Sequence, residues 1–157
     1  MERKKKMRKF EIVNNQFRKT KKGEIKLPTR ADVGSAGYDF YTPIDFTLKP
    51  GETKIIATDV KVNMNKNEVL LLFIRSSIGI KRNVILSNCV GVIDSTYYSN
   101  SDNDGNICGA FTNLGTEVQK FKAGDRVMQG VFVKYLTTKD DKPVSKQRTG
   151  GIGSSGK

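Results

Sequence analysis

The sequence predicts an all-β fold, a barrel or sandwich built of many short strands. Apolar residues recur at spacing two far more often than at the helical three and four, and the runs are short and rich in β-branched and aromatic residues. Clusters of Gly, Pro, Asn, Asp and Ser punctuate them. No internal repeat of the solenoid kind is present.

Taken in order, the expected strands are 46–48, 54–62, 68–75, 83–86, 107–114 and 126–135. Lys49-Pro50-Gly51, residues 63–67, residues 99–105 and Lys122-Ala123-Gly124-Asp125 form the turns between them. One or two helical turns are expected near 76–81, too few to change the class. The Asn- and Asp-rich stretch 99–106 could be taken for a calcium loop. It lacks the closing Glu at the twelfth loop position, so a hairpin turn is expected there.

At 157 residues the chain allows one compact domain with a modest core. Its net charge of +12 is concentrated: residues 1–30 hold twelve Lys/Arg against three acidic residues. Residues 1–22 are therefore expected to be a basic, solvated and disordered extension, able to make weak, sequence-independent contact with nucleic acid. Residues 23–136 are expected to form the β core. Residues 137–157 end in a Gly/Ser-rich stretch and are expected to form a flexible arm.

The absence of histidine excludes Ser-His-Asp and Cys-His nucleophile pairs and His-ligated catalytic zinc. Cys89 and Cys108 are too few for a four-ligand metal site or a disulfide framework, which suits a reducing cytoplasm. The longest apolar run, residues 69–74, is far too short to span a bilayer, and no membrane partner is expected.

Five segments carry chemistry. Arg75-Ser76-Ser77-Ile78-Gly79 ends an apolar strand with a guanidinium fork, two hydroxyls and the free N–H groups of a turn, which together fit phosphate oxygens. In Asn88-Cys89-Val90-Gly91-Val92-Ile93-Asp94-Ser95-Thr96-Tyr97, a bent hairpin would expose backbone amides, and Asp94 would stand at a strand end. In a chain without histidine, a carboxylate is the natural group to polarise a water. Residues 32–39 place a second carboxylate, Asp39, after a small-residue loop. Gly124-Asp125-Arg126-Val127-Met128-Gln129 opens a strand with a cation and an amide. The tail, from Arg148 through Gly150, Gly151, Ile152 and Gly153 to Ser154, Ser155 and Gly156, combines a cation, close-approach glycines and two hydroxyls, the parts of a phosphate cradle. Each has an ordinary structural reading by itself: a strand end, a turn or a loose terminus.

In this order and at these intervals, the five segments resemble the five motifs of the trimeric dUTPase family. Ala36-Gly37-Tyr38-Asp39-Phe40 is similar to the first, residues 75–79 to the second, Asn88 with residues 91–97 to the third, residues 124–129 to the fourth, and Arg148 with residues 150–156 to the fifth. The resemblance implies a jelly-roll-like fold and a homotrimer with active sites shared between subunits. It also implies Mg²⁺-dependent hydrolysis of dUTP to dUMP and pyrophosphate, which keeps uracil out of DNA. It assigns Asp94 to activating the water. Asn88, Gly91, Tyr97 and Ile152 fall to uracil and deoxyribose, with Tyr97 excluding a 2′-hydroxyl. Arg75, Ser76, Ser77, Gln129, Arg148, Gly151, Ser154 and Ser155 fall to the phosphates, and Asp39 acts indirectly, through Mg²⁺-bound water or site architecture. Ile152 stands where family members usually carry a Phe over the base. dCTP deaminases share the fold and an Arg-Ser-Ser motif, but they carry a catalytic Glu and a Pro-Gly-Trp stretch where this chain has Ile93-Asp94 and no Trp. A non-catalytic protein using the basic N-terminus would leave the polar site residues unexplained.

Overall fold

The computed structural model describes residues 8–144, 148 and 150–153. Its strands are β1 (Lys9–Ile12), β2 (Thr29–Arg30), β3 (Tyr38–Tyr41), β4 (Phe46–Leu48), β5 (Thr53–Ala57), β6 (Val60–Asn63), β7 (Glu68–Ile74), β8 (Val84–Leu86), β9 (Gly91–Asp94), β10 (Cys108–Asn113), β11 (Gln119–Phe121) and β12 (Arg126–Lys134). Among the described residues one α-helix, α1 (Ser76–Arg82), and two short 3₁₀ turns, Asn15–Phe17 and Ser95–Tyr97, interrupt them.

The main sheet has the order β2-β3-β12-β7-β9. β5-β10-β8 forms a second sheet, and the pairs β1-β6 and β11-β4 complete a sandwich-like arrangement rather than a closed barrel. β7 lies between β12 and β9 and none of its residues is exposed on either face, which is why it reads as a continuous apolar run. In β10, buried and half-buried residues alternate strictly, so Phe111 enters the core while Cys108 and Ala110 face elsewhere. Phe46 stacks on Phe121 at 4.5 Å, and Phe40, Leu70, Leu72 and Met128 fill the space between the sheets. Burying each such side chain contributes roughly 1.5–3 kcal/mol.

Four expectations change. Residues 54–62 are not one strand: the chain leaves β5 at Thr58 and enters β6 at Val60, because Asp59 adopts a left-handed φ of 57°. Asp tolerates that conformation, and here its buried carboxylate accepts three N–H bonds, from Lys19 N, Thr20 N and Asn106 Nδ2.

Those same bonds overturn the picture of residues 1–22 as a loose extension, because from residue 8 onward the segment is part of the fold. β1 pairs antiparallel with β6, Phe10 packs on Tyr38, Phe40 and Phe132, and Val13 is buried. The short apolar pattern Phe10, Ile12 and Val13 was hidden among charges, and its partner strand lies about fifty residues away. Of the cation run near the start, Arg8 is ion-paired with Glu68, and residues 1–7 lie outside the described residues.

Residues 99–106 do not make a hairpin turn. The strands on either side, β9 and β10, belong to different sheets. Nor do β8 and β9 pair as a hairpin: β8 bonds to β10 and β9 to β7, so the chain splays apart at residues 87–90.

The helix forms as expected. Arg75 occupies the N-cap in extended conformation, Asn83 closes the C-terminus in the left-handed region, and Lys81 and Arg82 complement the dipole in the last turn.

Candidate active site

The divergence of β8 from β9 opens a cavity of about 460 Å³, floored by Cys108, Gly109 and Ala110 of β10. Asn88, Gly91, Asp94, Tyr97, Arg148 and Ile152 all line it, so residues spread over more than sixty positions of sequence meet in one place. Asn88 is exposed on the loop after β8, beside Cys89, whose φ of 62° turns the chain. Gly91 keeps the contact between β9 and β7 close: a Cβ there would meet the Leu72 side chain at 3.0 Å, and that side chain would have to give by a few tenths of an ångström.

Asp94 is the last residue of β9, held in register opposite Val69, and its side chain is 49% exposed. Its Oδ2 accepts a bond from Arg148 Nη1 at 3.1 Å. Arg148 is itself held on three sides. Nε and Nη2 donate to the carbonyls of Gly150 and Gly151, both at 2.8 Å, and the guanidinium lies 5.2 Å from the centre of the Tyr97 ring.

Tyr97 is buried. Its Oη donates to the Asn106 carbonyl at 2.8 Å and accepts from Asn103 Nδ2 at 2.7 Å. Burial pushes this phenol above its ordinary pKa, so it is neutral. It is the aromatic side chain lining the cavity among the described residues, and Ile152 lies at the mouth, largely exposed. Burial also pushes the Cys108 thiol in the floor up to about 11, with the Asp59 charge adding to the effect.

A second cluster forms where β3, β12 and the start of α1 converge. Asp39, Arg75, Ser76 and Gln129 line a separate cavity of about 380 Å³ with Gly37. Asp39 is buried, and both of its oxygens are engaged, Oδ1 with Arg75 Nε at 3.0 Å and Oδ2 with Arg126 Nη1 at 3.4 Å. Gln129 stands opposite Asp39 in the β12–β3 register, and a Cβ at Gly37 would fall 2.4 Å from its Oε1, so only glycine lets this amide lie across the loop. Ser77 is exposed one residue further along the helix. The chain thus gathers the residues expected at base, sugar and water in one cavity, together with Arg148, and three of those expected at phosphate, Arg75, Ser76 and Gln129, in another.

Gly151 is buried, its N–H donating to Asp102 Oδ2 at 2.8 Å. Ser154 and Ser155 lie outside the described residues. Asp102, Asn103 and Asn106 escaped sequence reasoning as site residues. Their Asn/Asp-rich composition was visible but pointed to a turn. Among the described residues no three metal-ligating side chains converge, and Asp39 is committed to two cations. The donor set suits an ion carried in on a triphosphate rather than one caged by the protein.

Comparison with known proteins agrees with this geometry. The dUTPase family profile matches residues 23–156. A deoxyuridine 5'-triphosphate nucleotidohydrolase of Lactococcus lactis subsp. lactis is 41% identical over 152 residues, covering 96% of this chain and 99% of that protein. One from Haemophilus influenzae is 37% identical over 141 residues, 85% of this chain and 89% of that protein. The crystal structure of a dUTPase from Streptococcus mutans superposes with a TM-score of 0.71 at 35% identity, covering 82% of this chain and 97% of that one.

Proposed function

The chain belongs to the dUTPase family, and from that premise we propose that it hydrolyses dUTP to dUMP and pyrophosphate with Asp94 as the base. The observation that carries the assignment is the single cavity in which Asp94 lies beside Asn88 and Tyr97, with Arg148 across its mouth. Its volume falls in the range of small-ligand pockets, ~300–1,000 Å³.

The half-exposed Asp94 carboxylate takes a proton from a water whose oxygen attacks the α-phosphorus. The bond from that phosphorus to the bridging oxygen breaks, and pyrophosphate leaves with the oxygen. Asn88 and the adjoining backbone complement the uracil edge, Gly91 lets the base approach β9, and Ile152 covers it. Tyr97 packs on the deoxyribose. Its ring is fixed by two hydrogen bonds and cannot swing aside for a 2′-hydroxyl.

Arg75, Ser76, Ser77 and Gln129 hold phosphate oxygens, Arg75 being aimed by Asp39. A Mg²⁺ ion carried on the triphosphate would supply charge neutralisation when bound, with Asp39 acting on it only indirectly, through water. Arg148 exchanges Asp94 for the terminal phosphate when substrate enters, which uncovers the base at the moment it is needed. Ser154 and Ser155 of the arm then close on the phosphates, while Gly151, expected at phosphate from the sequence, has its N–H on Asp102 and its carbonyl on Arg148. That the phosphate cluster lines a different cavity from the base pocket supports a homotrimer in which a second copy completes each site. Ile55 and Val92, apolar and exposed beside the cavity, suit such a contact. No helix among the described residues is long and apolar enough to cross a membrane, and the two free thiols suit the cytoplasm.

Pyrophosphate release from dUTP, dCTP, dTTP and UTP with Mg²⁺ tests the reading, with deamination of dCTP followed in parallel. Release from dUTP alone is expected. Silence on dUTP, or ammonia from dCTP, refutes it.

A further inference from the structure

The 99–106 loop is bonded on one side to the N-terminal segment at Asn14 and on the other to the arm at Gly151. On one side Asp104, buried, accepts from Asn14 N and Lys61 Nζ, each at 2.8 Å, while Asn106 pairs reciprocally with Asp59, which also holds Lys19 N and Thr20 N. Inside the loop, Asn100 Oδ1 accepts from the amides of Asp102 and Asn103, and Asn100 Nδ2 donates to Asn103 Oδ1 and the Tyr97 carbonyl. On the other side Asp102 accepts from Gly151 N, and Asn103 donates to the Tyr97 hydroxyl. The arm's backbone lies so near the loop that a Cβ at Gly151 would come within 3.3 Å of Asn103 Nδ2.

We propose that the 99–106 loop is the seat of the C-terminal arm, and that Asp102 is the positioning residue that fixes the arm over the pocket. The proposal rests on the reading that the arm closes over a bound nucleotide. A loop already tied by buried bonds to the body of the protein loses no freedom when the arm arrives, so only the arm's own ordering opposes closure. A carboxylate is the stronger acceptor for a backbone amide. It also places Gly151 where Arg148, three residues earlier, reaches Asp94 and the Tyr97 ring. Asp102 touches no reacting atom. Its effect passes through Gly151 into the lifetime of the closed state, and therefore into kcat more than KM.

The test pairs turnover with a readout that needs none. The chain has no Trp, so Ile152→Trp supplies a unique fluorophore on the arm. Adding Asp102→Ala to that reporter is expected to raise its quenching by acrylamide in the absence of nucleotide, and Asp102→Asn, whose amide oxygen still accepts an N–H, to restore most of the protection. With the native residue at 152, Asp102→Ala should lower kcat about tenfold, the loss of one charge-assisted bond, with KM little changed. In a chain truncated after residue 147 it should lower kcat no further. Unaltered quenching in Asp102→Ala overturns the seat, as does a loss of turnover that persists in the truncated chain. If the parent protein does not hydrolyse dUTP while the reporter is still released, the substrate reading falls and the seat stands.

Discussion

Two Asp–Arg clusters, built from the same residue types at similar distances, stand in opposite surroundings. In the base pocket the carboxylate is accessible and the cation is covered: Asp94 is 49% exposed, Arg148 only 11%. In the phosphate cluster the carboxylate is the covered partner, Asp39 at 11% against Arg75 at 24% and Arg126 at 48%. In the proposed mechanism, a carboxylate that water can reach, capped by a cation on a terminal arm, serves as a base with a removable cover. One buried beneath two guanidinium groups is an anchor, and what it leaves available is the outer face of the cations. On the proposed reading, burial rather than residue type divides acid–base work from anion binding.

Asparagine at each carboxylate breaks the comparison most sharply. Asp94→Asn should lower kcat by about 10³-fold, within the usual range for a removed general base, while nucleotide affinity and melting temperature hold, as measured by pyrophosphate release, calorimetric titration and thermal unfolding. Asp39→Asn should do the reverse in kind: a lower melting temperature, about 1–3 kcal/mol of lost stability for two under-paired cations, and a weaker grip on triphosphate. Equal effects of the two substitutions on stability would erase the distinction.

Arg75→Lys comes next. A lysine keeps the charge but loses the fork that reaches Asp39 and phosphate together, so kcat/KM for dUTP should fall about tenfold and inhibition by inorganic pyrophosphate should weaken in parallel. Tyr97→Ala should act on selectivity, raising UTP turnover relative to dUTP, whereas Tyr97→Phe, losing two hydrogen bonds but keeping the ring, should cost about 1 kcal/mol of stability and leave the dUTP preference intact. The smallest effect concerns the pocket floor. Because the Cys108 thiol titrates near 11, its reactive thiolate is scarce at neutral pH and grows as pH rises toward that value. Iodoacetamide should therefore modify exposed Cys89 first, and peptide mapping across a pH series should find Cys108 labelled only in alkali.

β7 and β12 of the main sheet, the strands β4, β8 and β10, the short helix after Arg75 and the polar residues of both cavities were legible because each rests on local signals: period-two apolarity, a turn residue, a cation beside hydroxyls. β2, β3 and β9 were not among the expected strands. What stayed hidden depended on partners distant in sequence. β1 is four residues long and becomes a strand only through β6. Asp59 breaks the run 54–62 because amides forty residues earlier hold its carboxylate. Asn88 and Asp94 sat in an apparent hairpin, and the cavity exists because the two strands part instead, which no periodicity encodes. The loop 99–106 advertised turn chemistry, and only contact with the arm at Gly151 reveals a further use.

The bond from Asn14 to Asp104 joins residues 90 apart, and this has a bearing on the order in which the protein is made. At ~5–20 residues per second of synthesis, roughly 5–20 s separate the emergence of one partner from that of the other. Throughout that interval Phe10 and Val13 are outside the ribosome before the strand and loop bonded to their segment are both complete, so a segment made early is among the last to find its place.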